Sequence, residues 1–413
     1  MILNPIRCFQ RAAPGLLLVA SLLPTAALAQ TAEPLRVITT AVPVLTISPD
    51  SRAAGMGDAG VATSVDPNAA YWNAGKLGFV QHKYGFSTSY TPWLSSITND
   101  MGLAYLSGYR RLTPGSAFAV SLMYFNLGEI NFRDVANRPT GDYTPKEYTV
   151  QATYGQKLSP YFGLGIAARF INSNLTGGTS TGGSASRPGR SAAVDLGAYY
   201  TRDVNFGANT GNISFGANVS NIGGKITYTS PDQKDFLPTN LRLGTAITYD
   251  LDPFNKITLA FDANKLLVPT PADAASAGSP MWTQSRNDSA AIAANKAIRN
   301  KGIVGAMFSS FNDAPGGFKE ELKEINLCTG LEYWYNDLLA VRAGYFYENP
   351  VKGNRQYLSM GFGLRYQVFG VDAAYLVPNQ KTNPLSNTIR ISLVFRFDGQ
   401  PEAATPGAAP TTE

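Results

Sequence analysis

Apolar side chains alternate with small or polar ones along most of the chain after residue 82. In the last such segment, one face of an extended backbone carries apolar residues: Ile389, Ile391, Leu393, Phe395 and Phe397. The opposite face carries Arg390, Ser392 and Arg396, together with Val394. A period of two residues predicts β-strands rather than helices.

We predict about fourteen such strands, each near the ~10 residues that cross a membrane at a tilt. They are expected to start near Lys83, Met101, Ala117, Tyr148, Tyr161, Ala192, Asn212, Leu241, Lys256, Asn326, Leu338, Tyr357, Val371 and Thr388. A soluble β-sandwich produces the same alternation, so the side-chain pattern alone does not separate the two architectures.

The lengths of the links between the strands distinguish a membrane barrel from a soluble β-sandwich. Long links cover residues 126–146, 172–190, 222–238 and 267–325, and short ones cover 158–160, 252–255, 336–337 and 369–370. Long and short links alternate, as in outer-membrane barrels with short periplasmic turns and longer outer loops. We therefore expect an all-β fold, a transmembrane antiparallel β-barrel over residues 82–397, with both barrel ends in the periplasm.

Composition supports a sheet that faces lipid. Charged residues make up 15% of the chain, against about 25% in typical soluble proteins. The chain also has 40 glycines, 21 tyrosines and 21 phenylalanines. The formal net charge of +5 is small for this length, which argues against nucleic acid as a partner.

Both ends of the sequence differ from the predicted barrel. Arg7 and Arg11 precede an apolar run at residues 15–23 and an Ala27-Leu28-Ala29 site, so residues 1–29 are predicted to be a secretory signal peptide. Residues 398–413 are rich in Ala, Pro and Thr and are predicted to be a disordered periplasmic tail. Export and a barrel together predict the outer membrane of a Gram-negative bacterium.

Residues 52–61, "RAAGMGDAGV", contain a G-x-G-x-x-G spacing at Gly55, Gly57 and Gly60. A dinucleotide-binding turn also needs a preceding strand, a following helix and an acid about 20 residues later. Here Pro49 precedes the glycines, and Phe79 and Val80 stand where the acid would be. We interpret residues 30–81 as a plug whose small residues pack closely inside the lumen. A glycine-rich loop at the barrel mouth is the alternative.

The same stretch resembles the N-terminal region of PorV, an outer-membrane component of the type IX secretion system of Bacteroidetes. The matching positions are Pro49, Asp50, Arg52, Gly55, Met56, Gly57, Asp58, Gly60, Val61 and Ala62. A second element, Trp72-Asn73-Ala74-Gly75-Lys76-Leu77, departs from the family pattern because Ala74 replaces a proline. PorV in turn resembles the wider group of FadL-like fatty-acid channels.

The resemblance implies a non-enzymatic role in protein secretion. The expected partners are outer-membrane lipid, the translocon barrel, the C-terminal signal domains of secreted cargo, and a surface attachment complex containing a sortase-like protease. The rival hypothesis is a FadL-like transporter of long-chain fatty acids or other hydrophobic compounds, with an apolar pocket involving Trp93, Leu94 and Trp282. No cofactor or metal is expected, since His82 is the only histidine and has no second ligand nearby.

Two sets of residues are candidates for function. In the plug motif, the charged residues Arg52, Asp58 and Asp66 are expected to pair with Arg242, Arg342 or Arg365, or with one another, because buried charge needs a partner. Such pairs could form either a releasable latch or a permanent structural contact. Trp72 and Asn73 complete the motif. Trp72 and Phe79 are expected to pack inside the plug rather than to bind lipid.

The second set lies in the long outer link at residues 267–325, where helices are predicted after Asp288-Ser289 and through "FKEELKEI". Its candidate partner-binding residues are Trp282, Lys296, Arg299, Lys301, Phe308 and Phe311. A link of this length usually signals function. The alternative is a lid that only seals the barrel.

Overall fold

The fold is known from a computed structural model, which describes residues 36–95, 98–134, 136–175, 177, 180–181, 184–229, 234–272, 289–379 and 388–398. The predicted signal peptide, Trp282, Asp288 and all but the first residue of the predicted tail lie outside the described residues.

Fourteen antiparallel strands form a closed barrel in which the last strand pairs with the first. In chain order they are β1 (Tyr84–Pro92), β2 (Met101–Thr113), β3 (Ser116–Leu127), β4 (Lys146–Lys157), β5 (Phe162–Asn174), β6 (Gly189–Phe206), β7 (Asn209–Gly223), β8 (Asn240–Asp252), β9 (Asn255–Leu266), β10 (Ile325–Tyr335), β11 (Leu339–Tyr347), β12 (Gln356–Tyr366), β13 (Phe369–Pro378) and β14 (Ile389–Phe397). Every neighbour along the chain is also a neighbour in the barrel, so the sheet is a simple meander.

The predicted barrel is confirmed. Each of the fourteen strands begins within three residues of its predicted start. Links after even-numbered strands have two to four residues, whereas links after odd-numbered strands have eight or more. All the short links therefore lie at one end of the barrel, and we call the opposite end, with the long links, the outer end.

Side chains on the two faces of the wall have opposite exposure. Ile389, Val341 and Leu243 point outward and are each about half exposed, while their neighbours Arg390 and Arg342 point inward and are buried. This arrangement confirms the predicted faces. Apolar side chains on the outside suit a bilayer, and polar groups inside can pair with one another.

The segment before β1, residues 36–83, runs through the barrel from the outer end to the short-turn end. We call it the lumen segment. Its first described residue, Arg36, donates its backbone N–H to the carbonyl oxygen of Val351 in an outer link. Near its other end, Gly78 packs against the backbone of Lys157 beside a short turn. The segment therefore spans the length of the lumen.

The lumen segment contains four short helical turns: a 3₁₀ turn at Pro43–Thr46, helix α1 (Ser51–Ala54), helix α2 (Ala69–Trp72) and a second 3₁₀ turn at Ala74–Phe79. No side chain between Pro49 and Val61 is more than partly exposed. The wall of the barrel supplies the burial that such short turns need, because isolated helices of this length are not stable in water.

The described part of the long outer link contains three further helices: α3 (Ser289–Asn300), α4 (Ile303–Ser309) and α5 (Phe318–Lys323). Helices α3 and α5 confirm the two predicted ones, and α4 was not predicted. Two small hairpins, Ile130–Arg133 with Pro139–Tyr143 and Ser180–Thr181 with Ser184–Ala185, extend other outer links. No helix among the described residues is both long and apolar enough to cross a membrane.

Candidate functional site in the barrel lumen

Glycines of the lumen segment meet glycines of the barrel wall. A Cβ atom added to Gly55 would lie 2.9 Å from Cα of Gly361, and one added to Gly344 would lie 2.0 Å from the backbone nitrogen of Gly57. Gly57 has a φ of +66°, a left-handed conformation that favours glycine. Other inward-facing glycines of the wall with close lumen-segment contacts are Gly155, Gly163, Gly165, Gly197, Gly216 and Gly330. Backbone therefore packs on backbone around most of the barrel.

Wall side chains bind the backbone of the glycine-rich turn. Oδ2 of Asp262 on β9 accepts hydrogen bonds from the backbone N–H groups of Gly60 (2.7 Å) and Val61 (2.9 Å). Oγ of Ser359 on β12 accepts from the N–H of Gly57 at 2.9 Å. The glycine spacing thus presents N–H groups to the barrel wall, and these contacts occupy the donors that a dinucleotide phosphate would need.

Asp50, Trp72 and Asn73 hold the lumen segment together. Asp50 caps α1 by accepting from the N–H of Ala53 at 3.0 Å, and its second oxygen accepts from Nε1 of Trp72 at 2.6 Å. The carboxamide of Asn73 donates to the carbonyl oxygen of Ala198 on β6 at 2.8 Å. These buried polar groups connect α1 and α2 to each other and to the wall. Pro49 and Met56 of the motif are buried as well.

Arg52 joins the lumen segment to the wall through an ion-pair network. Its guanidinium donates to both oxygens of Glu332 on β10, at 2.9 Å and 2.8 Å, and to Asp66 at 3.0 Å. Glu332 also accepts from Arg342 at 2.7 Å. Arg342 and Arg365 then share Asp372, at 2.8 Å and 2.7 Å. Three guanidinium groups and three carboxylates therefore alternate in one buried chain.

The sequence-predicted pairs are found only in part. Arg52 and Asp66 pair with each other as expected, but Arg342 and Arg365 reach the lumen segment only through the shared acids Glu332 and Asp372. Asp58 accepts from the hydroxyl of Tyr357 at 2.5 Å and lies 3.7 Å from Arg390 rather than beside a predicted arginine. Sequence reasoning missed Glu332 and Arg390, although each occupies an inward position of its strand.

Above the glycine-rich turn, the outer half of the lumen contains a cavity of about 70 Å³. Asp58 and Trp72 of the lumen segment line it, together with wall residues of six strands and Trp93 of the first outer link. The wall residues are Asn240, Arg242, Asn264, Leu266, Asn326, Phe346, Tyr357 and Arg390, and Arg355 lies just before β12. Leu94, the neighbour of Trp93, does not line the cavity.

The outer link presents a mixed surface. Lys296 and Arg299 on α3 are exposed, and Arg299 lies 3.7 Å from Asp235 of another outer link. Lys301 is half-buried and donates to Ser309 at 3.2 Å. Phe308 and Phe311 are 74% and 47% exposed, which is unusual for phenylalanine outside a membrane.

These two phenylalanines belong to a larger set of exposed apolar side chains. We call it the outer apolar patch, and it consists of Val304, Phe308, Phe311, Phe318 and Leu322. Sequence analysis missed Val304, Phe318 and Leu322. The signal was available in "FKEELKEI", where Phe318 and Leu322 stand four residues apart and therefore share one face of a helix.

The opposite face of α5 is anchored by ion pairs. Lys265 on β9 lies 2.9 Å from Glu321 and 2.7 Å from Glu324. Lys352 lies 2.8 Å from both Glu320 and Glu324, and Arg36 lies 2.6 Å from Glu320. The outer link is therefore fastened both to the barrel rim and to the start of the lumen segment.

Burial would raise the pKa of Glu321, but hydrogen bonds from the backbone of Ala314 and from Lys265 outweigh it and hold that pKa below its usual value. The pKa of Glu320 is also lowered, because burial is outweighed by Lys352 and the N–H of Gly316. Both carboxylates are thus stabilised in their charged forms.

Comparison with known protein families identifies the chain. A family model described as type IX secretion system protein PorV matches residues 29–273, more than half of the 413 residues. The chain belongs to the PorV family. A search of curated protein sequences found no match.

Solved structures with a similar fold include proteins described as a channel, a transporter and a FadL homologue. A deltaS2S3 mutant of the TodX monoaromatic hydrocarbon channel is 11% identical, with a TM-score of 0.49, covering 85% of this chain and 99% of that one. The Ralstonia pickettii toluene transporter TbuX is 12% identical, with a TM-score of 0.45 and coverages of 84% and 98%. A Pseudomonas aeruginosa FadL homologue is 11% identical, with a TM-score of 0.41 and coverages of 88% and 100%. Sequence identity and structural similarity this low do not indicate what this barrel binds.

The PorV-family chain is therefore a β-barrel protein of the outer membrane that belongs to the type IX secretion system. Its family is that of a secretion protein rather than of an enzyme class.

Proposed function

We propose that this PorV-family barrel binds the C-terminal signal domains of secreted cargo at the translocon and delivers them to the cell-surface attachment complex. In this role the protein carries out no chemical reaction. It diffuses in the outer membrane with its lumen closed, and it holds cargo through its outer face weakly enough to release it.

The outer apolar patch is the observation that carries the proposal. Val304 and Phe308 lie on α4, Phe311 follows that helix, and Phe318 and Leu322 lie on α5. Ion pairs hold α5 on the outer rim of the barrel. Exposed aromatic side chains on a rigid support are typical of the residues that dominate protein–protein binding. Lys296 and Arg299 on α3 add positive charge beside the patch, which favours partners with acidic surfaces.

The filled lumen supports the same role. The lumen segment contacts the wall through backbone packing, hydrogen bonds and the Arg52 network. A passive carrier of folded domains needs a closed barrel, because an open one of this size would leak. We propose that residues 36–83 act as a permanent plug, since the Arg52 network has a carboxylate for each guanidinium and no obvious releasing step.

The test is affinity purification from the native outer membrane of cells producing the tagged wild-type protein or the double variant F308S/F318S. We expect cargo C-terminal domains or the translocon barrel in the wild-type sample, with recovery reduced about tenfold or more in the double variant. The matched control is I130S, which changes an apolar side chain of an outer hairpin that is 44% exposed and outside the patch. Equal recovery from all three proteins would contradict the role of the patch, and absence of any secretion component would contradict the proposed function.

The rival is a transporter of long-chain fatty acids. It requires a continuous apolar path, whereas the described cavity is lined by guanidinium and carboxamide groups as well as by Trp93 and Phe346. Binding of long-chain fatty acid by the purified protein, together with normal cargo secretion in a deletion strain, would favour the rival.

A further inference from the structure

The cavity in the outer half of the lumen has an unusual concentration of positive charge. Arg242, Arg355 and Arg390 all line it, whereas Asp58 is the only carboxylate among the described residues that line it. Guanidinium groups bind carboxylates and phosphates strongly because their N–H groups match the geometry of the oxygens. Whether the cavity can bind such an anion depends on which of these arginines already has a carboxylate partner.

Two of the three arginines have a carboxylate near them. Arg355 is neutralised by Glu348, with which it makes two contacts of 3.0 Å and 2.9 Å. Arg390 lies 3.7 Å from Asp58 and donates to the backbone carbonyl of Ser48 at 2.7 Å. Its Nε is buried and has no hydrogen-bond partner in the described part of the chain.

Arg242 has no carboxylate within 4 Å among the described residues, although its side chain is buried. Its guanidinium lies 5.0 Å from the ring centroids of both Tyr71 and Trp72, and Nη2 donates to the Tyr71 hydroxyl at 3.2 Å. When the Asn240 carboxamide is oriented with its oxygen toward Arg242, that oxygen accepts from Nε of Arg242 at 3.0 Å. Asn240 is then a third residue that fixes the position of the guanidinium. Asp262 acts on this guanidinium from beyond ion-pair distance, and its Oδ2 already accepts from Gly60 and Val61, so Arg242 has no direct ion pair among the described residues.

We propose that this cavity binds a compact carboxylate attached to a small apolar or aromatic body. Arg242 and the free Nε of Arg390 would donate to the carboxylate, while Trp72, Trp93 and Phe346 would contact the body. A cavity of about 70 Å³, lined by polar and apolar groups in similar measure, suits a small ligand better than an extended acyl chain. The site is separate from the outer apolar patch, so the inference does not depend on the proposed secretion role.

Phenylacetate and its neutral counterpart phenylacetamide are the probes, added to the purified full-length protein in detergent. Trp72 and Trp93 line the cavity, so binding is followed by tryptophan fluorescence. We expect phenylacetate to bind at least about tenfold (about 1.4 kcal/mol) more tightly than phenylacetamide, since a hydrogen bond between two charged groups is stronger than one to a neutral amide. Equal affinities, or no binding of either probe, would overturn the proposal, as would displacement of phenylacetate by palmitate at lower concentration.

Three variants assign the effect to Arg242. R242Q is expected to weaken phenylacetate binding about tenfold or more, R242K to retain part of it, and R138Q to leave it unchanged, because Arg138 is exposed on a distant outer hairpin. Far-UV circular dichroism checks that each variant is folded. Should R242Q fail to fold, R390Q provides the second test, with the same expected loss. Wild-type affinity in a folded R242Q would overturn the assignment.

A further comparison identifies the source of the carboxylate. Acetyl-Ala-Phe with a free C-terminus and the same peptide with a C-terminal amide are titrated beside phenylacetate. Tighter binding of the free-acid peptide than of phenylacetate would place the site among peptide-binding sites. Tighter binding of phenylacetate would identify a site for small organic acids.

Discussion

At the scale of single residues, glycine is the residue that shapes the lumen. Gly55 and Gly57 stand opposite Gly361 and Gly344, and no larger residue fits at these contacts without moving backbone. The G-x-G-x-x-G spacing therefore has a packing explanation. It follows from two backbones that approach within van der Waals distance, one in the lumen segment and one in the wall.

Gly344 gives the sharpest test of this packing. In G344A the new Cβ atom would lie 2.0 Å from the backbone nitrogen of Gly57, so the lumen segment must shift. We expect the free energy of unfolding to fall by about 1–3 kcal/mol, as for other overpacked cores. Urea-induced unfolding of the barrel in lipid vesicles measures the change. The control is G108A on β2, where the nearest atom would be 3.4 Å away, and an equal effect of both substitutions would contradict the packing argument.

Arg52 tests whether the ion-pair network is structural. In R52M, Glu332 and Asp66 lose a buried partner, and we expect a loss of about 3–5 kcal/mol in the free energy of unfolding. R138M removes the exposed pair with Asp134 and should cost less than about 1 kcal/mol. The same unfolding measurement applies. If R52M kept its stability but allowed ion conduction, the network would be a latch instead.

At the scale of elements, the outer link shows how one short helix serves two purposes. Helix α5 places Glu320 and Glu321 toward Lys352 and Lys265, and it leaves Phe318 and Leu322 on the exposed side. The acidic face therefore fixes the position of the apolar face. The exposure of helix α4 cannot be predicted from its own sequence, because the apolar residues of "IVGAMF" are equally typical of a buried segment.

The anchoring of α5 should depend on pH. The pKa values of Glu320 and Glu321 lie below the ordinary value of 4.5, so their ion pairs contribute full stability above that pH and lose it as the pH falls through the lowered values. A nitroxide label on L322C is expected to be immobile at pH 7 and to become mobile as the pH falls below 4.5. The measurement is electron paramagnetic resonance line width.

The control for this prediction is a label on L112C, at the short-turn end of β2, whose mobility should not follow the same titration. Leu112 and Leu322 have similar exposure, 53% and 51%, so the two labels start from comparable surroundings. A label at position 322 that became mobile only on raising the pH would contradict the sign of the effect.

At the scale of the whole molecule, the closed meander and the lumen segment form one unit. The segment enters at the outer end and leaves into β1 at the short-turn end, so its contacts reach strands on every side of the barrel. Arg36, the first described residue of this segment, pairs with Glu320 of α5, and Thr46 of the same segment lines the arginine-lined cavity.

We expect the wild-type barrel in a planar lipid bilayer to show no stable ion conduction. A variant lacking residues 50–79 should conduct, because a barrel of fourteen strands without its lumen segment encloses a wide opening. Single-channel recording measures both, and circular dichroism checks that the shortened barrel is folded. Steady conduction by the wild-type protein would contradict a permanent plug.

The sequence by itself determined the barrel. Alternating side chains in segments such as residues 388–397, and links that alternate in length, place fourteen strands because both patterns are local and a bilayer imposes them on every strand. The glycine motif also predicted close packing in the lumen, since glycine acts through its own backbone. Only the tertiary structure decided which partners meet: Glu332 beside Arg52, Asp262 beneath Gly60, and Arg242 without a carboxylate. Such pairs join residues far apart in the chain, and their geometry depends on strand register and on the path of the lumen segment, which no local pattern specifies.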